Sequence, residues 1–146
     1  NGADVNKAGV EGATALHYLC SKNEVNEGAV KLLLQKGADV NKADMEGFTA
    51  LHSLCARDDV NENTIKLLLQ NGADVNKAGV KGMTAPHYLF DRDEVDESAM
   101  KLLLQNETDV NTADVDGVTS LHYLCDRDGV NVCAVKLLLQ NGADVN

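Results

Sequence analysis

Histidine and cysteine recur three residues apart along this chain, as His17/Cys20, His52/Cys55 and His122/Cys125. On a helix, that spacing puts an imidazole and a thiol on one face, as in half a metal site or a nucleophile beside its base. Neither chemistry completes. A tetrahedral zinc site needs four converging ligands, each pair supplies two, and His87 is followed by Phe90 where a fourth cysteine would stand. A catalytic thiolate needs exposure and an orienting acid, and these thiols follow leucines in apolar surroundings. The recurring Asp-Val-Asn reads as a turn device, with Asp39 and its copies bonding locally. The acidic loops lack the ligand spacing of a calcium loop, and no glycine-rich phosphate loop is present. These residues point away from an enzyme and imply neither cofactor nor metal.

What positions them is a repeat. Gly-Ala-Asp-Val-Asn begins at Gly2, Gly37, Gly72 and Gly142, and the intervening slot reads Glu107-Thr-Asp-Val-Asn, a period of 35 residues without insertion or deletion. A unit of this length cannot bury its apolar face alone, so units must stack. The division is 7–41, 42–76, 77–111 and 112–146, with 1–6 as the tail of a preceding unit, all within one domain spanning 1–146. Both ends are in phase with the repeat, and neither carries a polar capping unit. The expectation is a fragment of a longer array, able to associate end to end through its uncapped faces.

Within a unit, Asn6 to Gly12 is rich in turn residues. Thr14 then stands as N-cap before the short helix Ala-Leu-His-Tyr-Leu-Cys. Asn26 caps a second helix, with Val25 and Val30 in the two positions of a hydrophobic staple. The staple recurs as Val60/Ile65, Val95/Met100 and Val130/Val135. Each second helix ends in Lys-Leu-Leu-Leu-Gln before Gly37, Gly72 or Gly142, a left-handed C′ position. Two helices per unit and little β-propensity make the chain predominantly all-α. The leucine triplet at 32–34 and its copies are expected in the core with Leu16 and Leu19. Lys31, Lys66, Lys101 and Lys136 are expected on a solvated back face.

The net charge of −10 argues against nucleic acid as the main ligand, since counterion release needs clustered Lys and Arg. No apolar run reaches the roughly 18 residues of a membrane span. Stacked helices lie about 8–10 Å apart, beyond the roughly 7 Å between Cα atoms that a disulfide allows. Cys20, Cys55 and Cys125 should therefore be buried free thiols, which suits an intracellular compartment, cytoplasmic or nuclear.

Thr14-Ala-Leu-His17 resembles the Thr-Pro-Leu-His element of ankyrin repeats, and Leu-Leu-Leu-Gln-Asn-Gly-Ala-Asp-Val-Asn resembles the end of their second helix and entry to the next hairpin. The resemblance covers all four units. It implies a solenoid of stacked helix pairs with projecting β-hairpin or turn loops, and a concave protein-binding surface formed by hairpins and inner helices. It also implies that His bridges adjacent hairpins, and that Asn41, Asn76 and Asn111 are possible targets of an asparaginyl hydroxylase. Three departures stand out. Units run longer than the usual period of about 33 residues, enlarging the loop between helices. Pro86 replaces a core leucine, with Phe90 nearby to refill the volume. Glu107-Thr108 replaces Gly-Ala, which forces a non-glycine residue to φ > 0 or remodels the helix end. Pro86, Phe90 and Glu107-Thr108 all fall in the third unit and point one way, so a weak junction between units three and four is expected.

The candidate partner-binding residues form ladders with the same period. The resemblance places Val10, Met45, Val80 and Val115 at hairpin tips, and Ala13, Phe48, Met83 and Val118 just past the tip glycine. Lys22, Arg57, Arg92 and Arg127 end the first helices, and Tyr18, Tyr88 and Tyr123 lie one turn earlier, with Ser53 in the remaining slot. Exposed apolar rows, Tyr and Arg are the material of interface anchors. Each has a structural alternative: packing between hairpins, neutralising helix ends and acidic loops, or a core tyrosine with a satisfied hydroxyl. The function expected is an adaptor or scaffold binding a protein partner of unknown identity. The competing expectation is a structural spacer with no specific ligand in this segment.

Overall fold

The computed structural model describes residues 2–146. Every unit contributes a six-residue helix and a longer one. They are α1 (Ala15–Cys20) and α2 (Glu27–Gln35), α3 (Ala50–Cys55) and α4 (Glu62–Gln70), α5 (Ala85–Phe90) and α6 (Glu97–Leu104), and α7 (Ser120–Cys125) and α8 (Val132–Gln140). Helices this short do not persist alone in water, so caps and packing must hold them. Thr14, Thr49, Thr84 and Thr119 each form a capping box with the histidine three residues on. Asn26, Asn61, Asp96 and Asn131 cap the longer helices by accepting the backbone N–H three residues ahead.

The short helices α1, α3, α5 and α7 pack in one row and the longer α2, α4, α6 and α8 in a second. The core runs continuously between the rows through Leu16, Leu51, Leu89 and Leu124, and through Val30, Ile65 and Met100. Burying each such side chain stabilises by about 1.5–3 kcal/mol. Much of that gain crosses unit boundaries, because each unit covers its neighbour.

The leucine triplets behave differently from expectation. Only the middle residue of the later triplets, Leu68, Leu103 and Leu138, is fully buried; Leu32 is 55% exposed and Leu139 43%. Three consecutive helical positions fan through about 200°, so one face cannot take all of them. The cysteine ladder also divides. Cys20 and Cys55 are buried, whereas Cys125 and Cys133 in the fourth unit are exposed. Cys125 lacks the covering helix that α3 and α5 provide for the earlier thiols.

The projecting segments between units are turns. Among the described residues the one bridge is antiparallel, between Ala113 and Thr119. Gly37, Gly72 and Gly142 take φ of 83–86° at the helix ends. There Ala38 and Gly37 donate to Leu33 and Leu34, closing a Schellman motif.

The third unit repairs its own irregularities. Pro86 sits in the first turn of α5, where its missing N–H costs nothing, and Phe90 is fully buried in the cysteine slot. Glu107 adopts the left-handed conformation at φ 58°. The Thr108 hydroxyl donates to Leu103 O at 2.6 Å, standing in for the amide bond that Ala38, Ala73 and Ala143 make in the other units. These compensations offset the irregularities locally, within the third unit.

Candidate protein-interaction surface

The turn segments are held to one another by asparagine. Asn6 Nδ2 donates to Gly37 O at 3.0 Å while its Oδ1 accepts from Asp39 N at 2.7 Å, so one side chain spans to the next unit. Asn41, Asn76 and Asn111 repeat both bonds onto residues 72/74, 107/109 and 142/144. Asp39 Oδ1 accepts from Asn41 N at 2.9 Å, the local turn bond expected of it. The asparagine amides thus act as rungs that fix the base of every projecting turn.

Histidine supplies a second tie. His17 Nδ1 accepts from Thr14 N at 3.1 Å, which assigns the proton to Nε2, and Nε2 donates to Phe48 O at 2.9 Å. His87 does the same between Thr84 N and Thr112 O, at 3.0 Å each. With both nitrogens engaged, these rings are structural, and the thiols of Cys20 and Cys55 lie in the core. Burial pushes both thiols up to about 12, against a smaller opposing effect of Arg57 and Arg92. A thiol held protonated in this way is neither nucleophile nor metal ligand.

At the tips, Val10 is 77% exposed, Met45 81% and Val115 71%, while Val80 is half-buried. Ala13, Phe48, Met83 and Val118 are half-buried beneath them. Phe48 stacks at a tilt on Tyr88 of the next unit, with ring centroids 5.1 Å apart, and His52 completes the group. Tyr123 meets His87 edge-on and donates its hydroxyl to Asp114 Oδ2 at 2.6 Å. That bond, followed by burial, pushes the Tyr123 hydroxyl up to about 12. The same bond holds the Asp114 carboxyl below its ordinary value, against burial. Tyr18 is exposed. Phe48 with Tyr88, and His87 with Tyr123, thus join neighbouring units beneath the tips.

The arginines lie elsewhere, at the loops between helices. Arg57 Nη1 donates to Ser21 O at 2.8 Å in the preceding unit. Arg92 reaches back to Asp58, and Arg127 to Asp91 and, at 3.2 Å, to Asp93. Lys22 is exposed at the first position of this ladder. The guanidinium groups thus fasten each unit to the loop of the one before. The sequence offers no local cue for that role, because donor and acceptor are 34 or 36 residues apart.

Paired helices in two parallel rows, with bridged turns projecting from one side, define a helical solenoid. The family of ankyrin repeats (3 copies) matches this chain over residues 1–79 and again over 53–146, and the chain belongs to that family. No curated protein matches it. Ankyrin repeats are in general protein–protein interaction modules and typically not enzymes. No helix among the described residues is long and apolar enough to cross a membrane.

Proposed function

We propose that this domain binds a protein partner along its projecting turns and the first helices beneath them. The observation that carries the reading is the tip row. Val10, Met45 and Val115 each leave more than two thirds of their surface in water, a cost the fold itself gains nothing from. Phe48, Met83, Val118, Tyr88 and Tyr123 would form the half-buried floor against which a partner's side chains pack, with the exposed Tyr18 at its edge. The mechanism is rigid presentation. The asparagine and histidine rungs order the surface before binding, so little entropy is lost on contact. Lys22, Arg57, Arg92 and Arg127 would contribute at the loop edge, chiefly by keeping the units in register. The buried thiols Cys20 and Cys55 suit a reducing, cytoplasmic or nuclear setting.

The test is affinity capture with the native domain beside a Val10→Glu, Met45→Glu, Val115→Glu variant. All three side chains project into solvent, so the stack should survive, as circular dichroism would verify. A protein held by the native domain and released by the variant supports binding at the tips. Equal capture by both would place the binding surface away from the tips, and no selective capture by either would favour a spacer role for this segment.

A further inference from the structure

The four units are not equivalent in pairs of neighbours: their turns alternate between two conformations with a period of two units. In units one and three the turn opens on Gly9 or Gly79, and both a central residue and the glycine after it are left-handed. These are Glu11 (φ 60°) with Gly12 and Lys81 (φ 55°) with Gly82. In units two and four, Asp44 or Asp114 replaces that first glycine. The carboxylate accepts the N–H groups of Glu46 and Phe48, or of Asp116 and Val118, all at 2.9 Å, and only the tip glycine has positive φ.

The alternation decides how tips join. A left-handed Glu11 or Lys81 turns its carbonyl toward the following tip, where Met45 N donates to Glu11 O at 2.8 Å and Val115 N to Lys81 O at 2.9 Å. Between units two and three the order is reversed, aspartate turn before glycine turn, and the described residues contain no such bond. The backbones instead meet at bare glycines: a Cβ added to Gly47 would lie 3.2 Å from Gly79 Cα. The histidine tie is looser at the same place. The Nε2 of fully buried His52 lies near the Met83 and Lys77 backbone but makes no bond as well formed as those by which His17 and His87 bridge forward. The buried side-chain polar atoms without partners, on His52, Thr64 and Arg92, all belong to the two units that meet here.

We infer that the domain moves as two two-unit modules, units one with two and three with four, whose tips open against each other along the line between Gly47 and Gly79. The two modules stay joined at the base, where Asn76 bonds Glu107 O and Asp109 N and Lys77 Nζ donates to Asn41 O at 2.7 Å. Opening therefore pivots at the base and spreads Met45 from Val80, which lets the tip row change its spacing at the centre. The inference concerns motion and stands whether or not the tips bind a protein.

Spin labels on cysteines introduced in pairs at the exposed tips would measure it, in a Cys125→Ser, Cys133→Ser background where the buried Cys20 and Cys55 resist labelling. The expected interspin distribution for Met45/Val80 is about twice as broad as for Val10/Met45 or Val80/Val115. Three equal widths would overturn the inference. Asp44→Gly tests the cause, since it gives unit two a glycine turn whose left-handed Glu46 would aim its carbonyl at Val80 N as Glu11 aims its own at Met45 N. Met45/Val80 should then narrow to the Val10/Met45 width. A folded variant that leaves the Met45/Val80 width unchanged would also overturn it.

Discussion

Asn76 donates its side-chain amide to the carbonyl of Glu107 at 2.9 Å, and Glu107 presents that carbonyl from a left-handed backbone that glycine supplies in the other units. The rung between units two and three thus rests on a strained residue. A non-glycine side chain in this conformation costs about 1–2 kcal/mol, partly offset by the greater unfolded-state freedom of glycine, about 0.5–1 kcal/mol. Glu107→Gly should stabilise the domain by up to about 1 kcal/mol, read as a higher urea midpoint with unchanged slope. A lower midpoint would mean that Glu107 makes a compensating interaction.

The asparagine rungs should carry more stability than their exposure suggests. Asn41→Ala removes two bonds between units, each worth about 0.5–1.5 kcal/mol net. It also leaves Gly72 O and Asp74 N to water. A loss of about 1–3 kcal/mol in urea unfolding is expected. Asn41→Asp keeps an acceptor for Asp74 N but sets a carboxylate against Gly72 O. It should therefore recover little of the loss, whereas recovery to native stability would assign the rung to the Asp74 bond alone.

Local signals in the sequence located the helices because caps, staples and C′ glycines act within a few residues of where they stand. Thr14, Asn26 and Gly37 each do what their neighbours in sequence require. The asparagine rungs and arginine fasteners were not legible that way, since Asn41 and Arg57 bond to atoms about one repeat distant. The leucine triplet misled for another reason: helical rotation separates Leu32 from Leu33 however apolar both are. The alternation of Gly9 and Gly79 with Asp44 and Asp114 lay in plain view, hidden by the stronger 35-residue period. Its consequence depends on which turn follows which, a property of pairs of units. The tip row was placed by resemblance, and its exposure follows from turns that project clear of both helix rows.

Thiol chemistry should split the cysteines by position. Cys20 and Cys55 are buried and pushed up to about 12, while Cys125 and Cys133 reach solvent. Under native conditions at about pH 8, an alkylating reagent should modify Cys125 and Cys133 quickly. Cys20 and Cys55 should react only at the rate at which the stack opens. Peptide mapping by mass spectrometry checks this. Rapid modification of Cys55 would mean that α3 and its neighbours separate far more often than a continuous core permits.

Acid should weaken the domain through its central histidines. Burial lowers the pKa of His52 from an ordinary value near 6.5, with Lys77 acting in the same direction and the nearby backbone of Met83 and Lys77, and Asp44, opposing. Burial likewise lowers His87, against the Thr112 and Val118 backbone and Asp114. Since Nδ1 of each ring accepts the capping N–H of Thr49 or Thr84, protonation would set a donor against a donor. The folded state then binds fewer protons than the unfolded one, so stability rises with pH across this window. The contribution is complete above about 6.5 and is lost as pH falls from there through the depressed folded values. Urea midpoints should therefore drop between about pH 7.5 and about pH 5. That difference should shrink in His52→Gln and shrink further with His87→Gln added, even though each variant starts less stable. Asp114, whose carboxyl is held below its ordinary value by Tyr123, loses its contribution only at lower pH and does not mask the effect. An acid dependence unchanged by both substitutions would move its origin to groups outside the capping boxes.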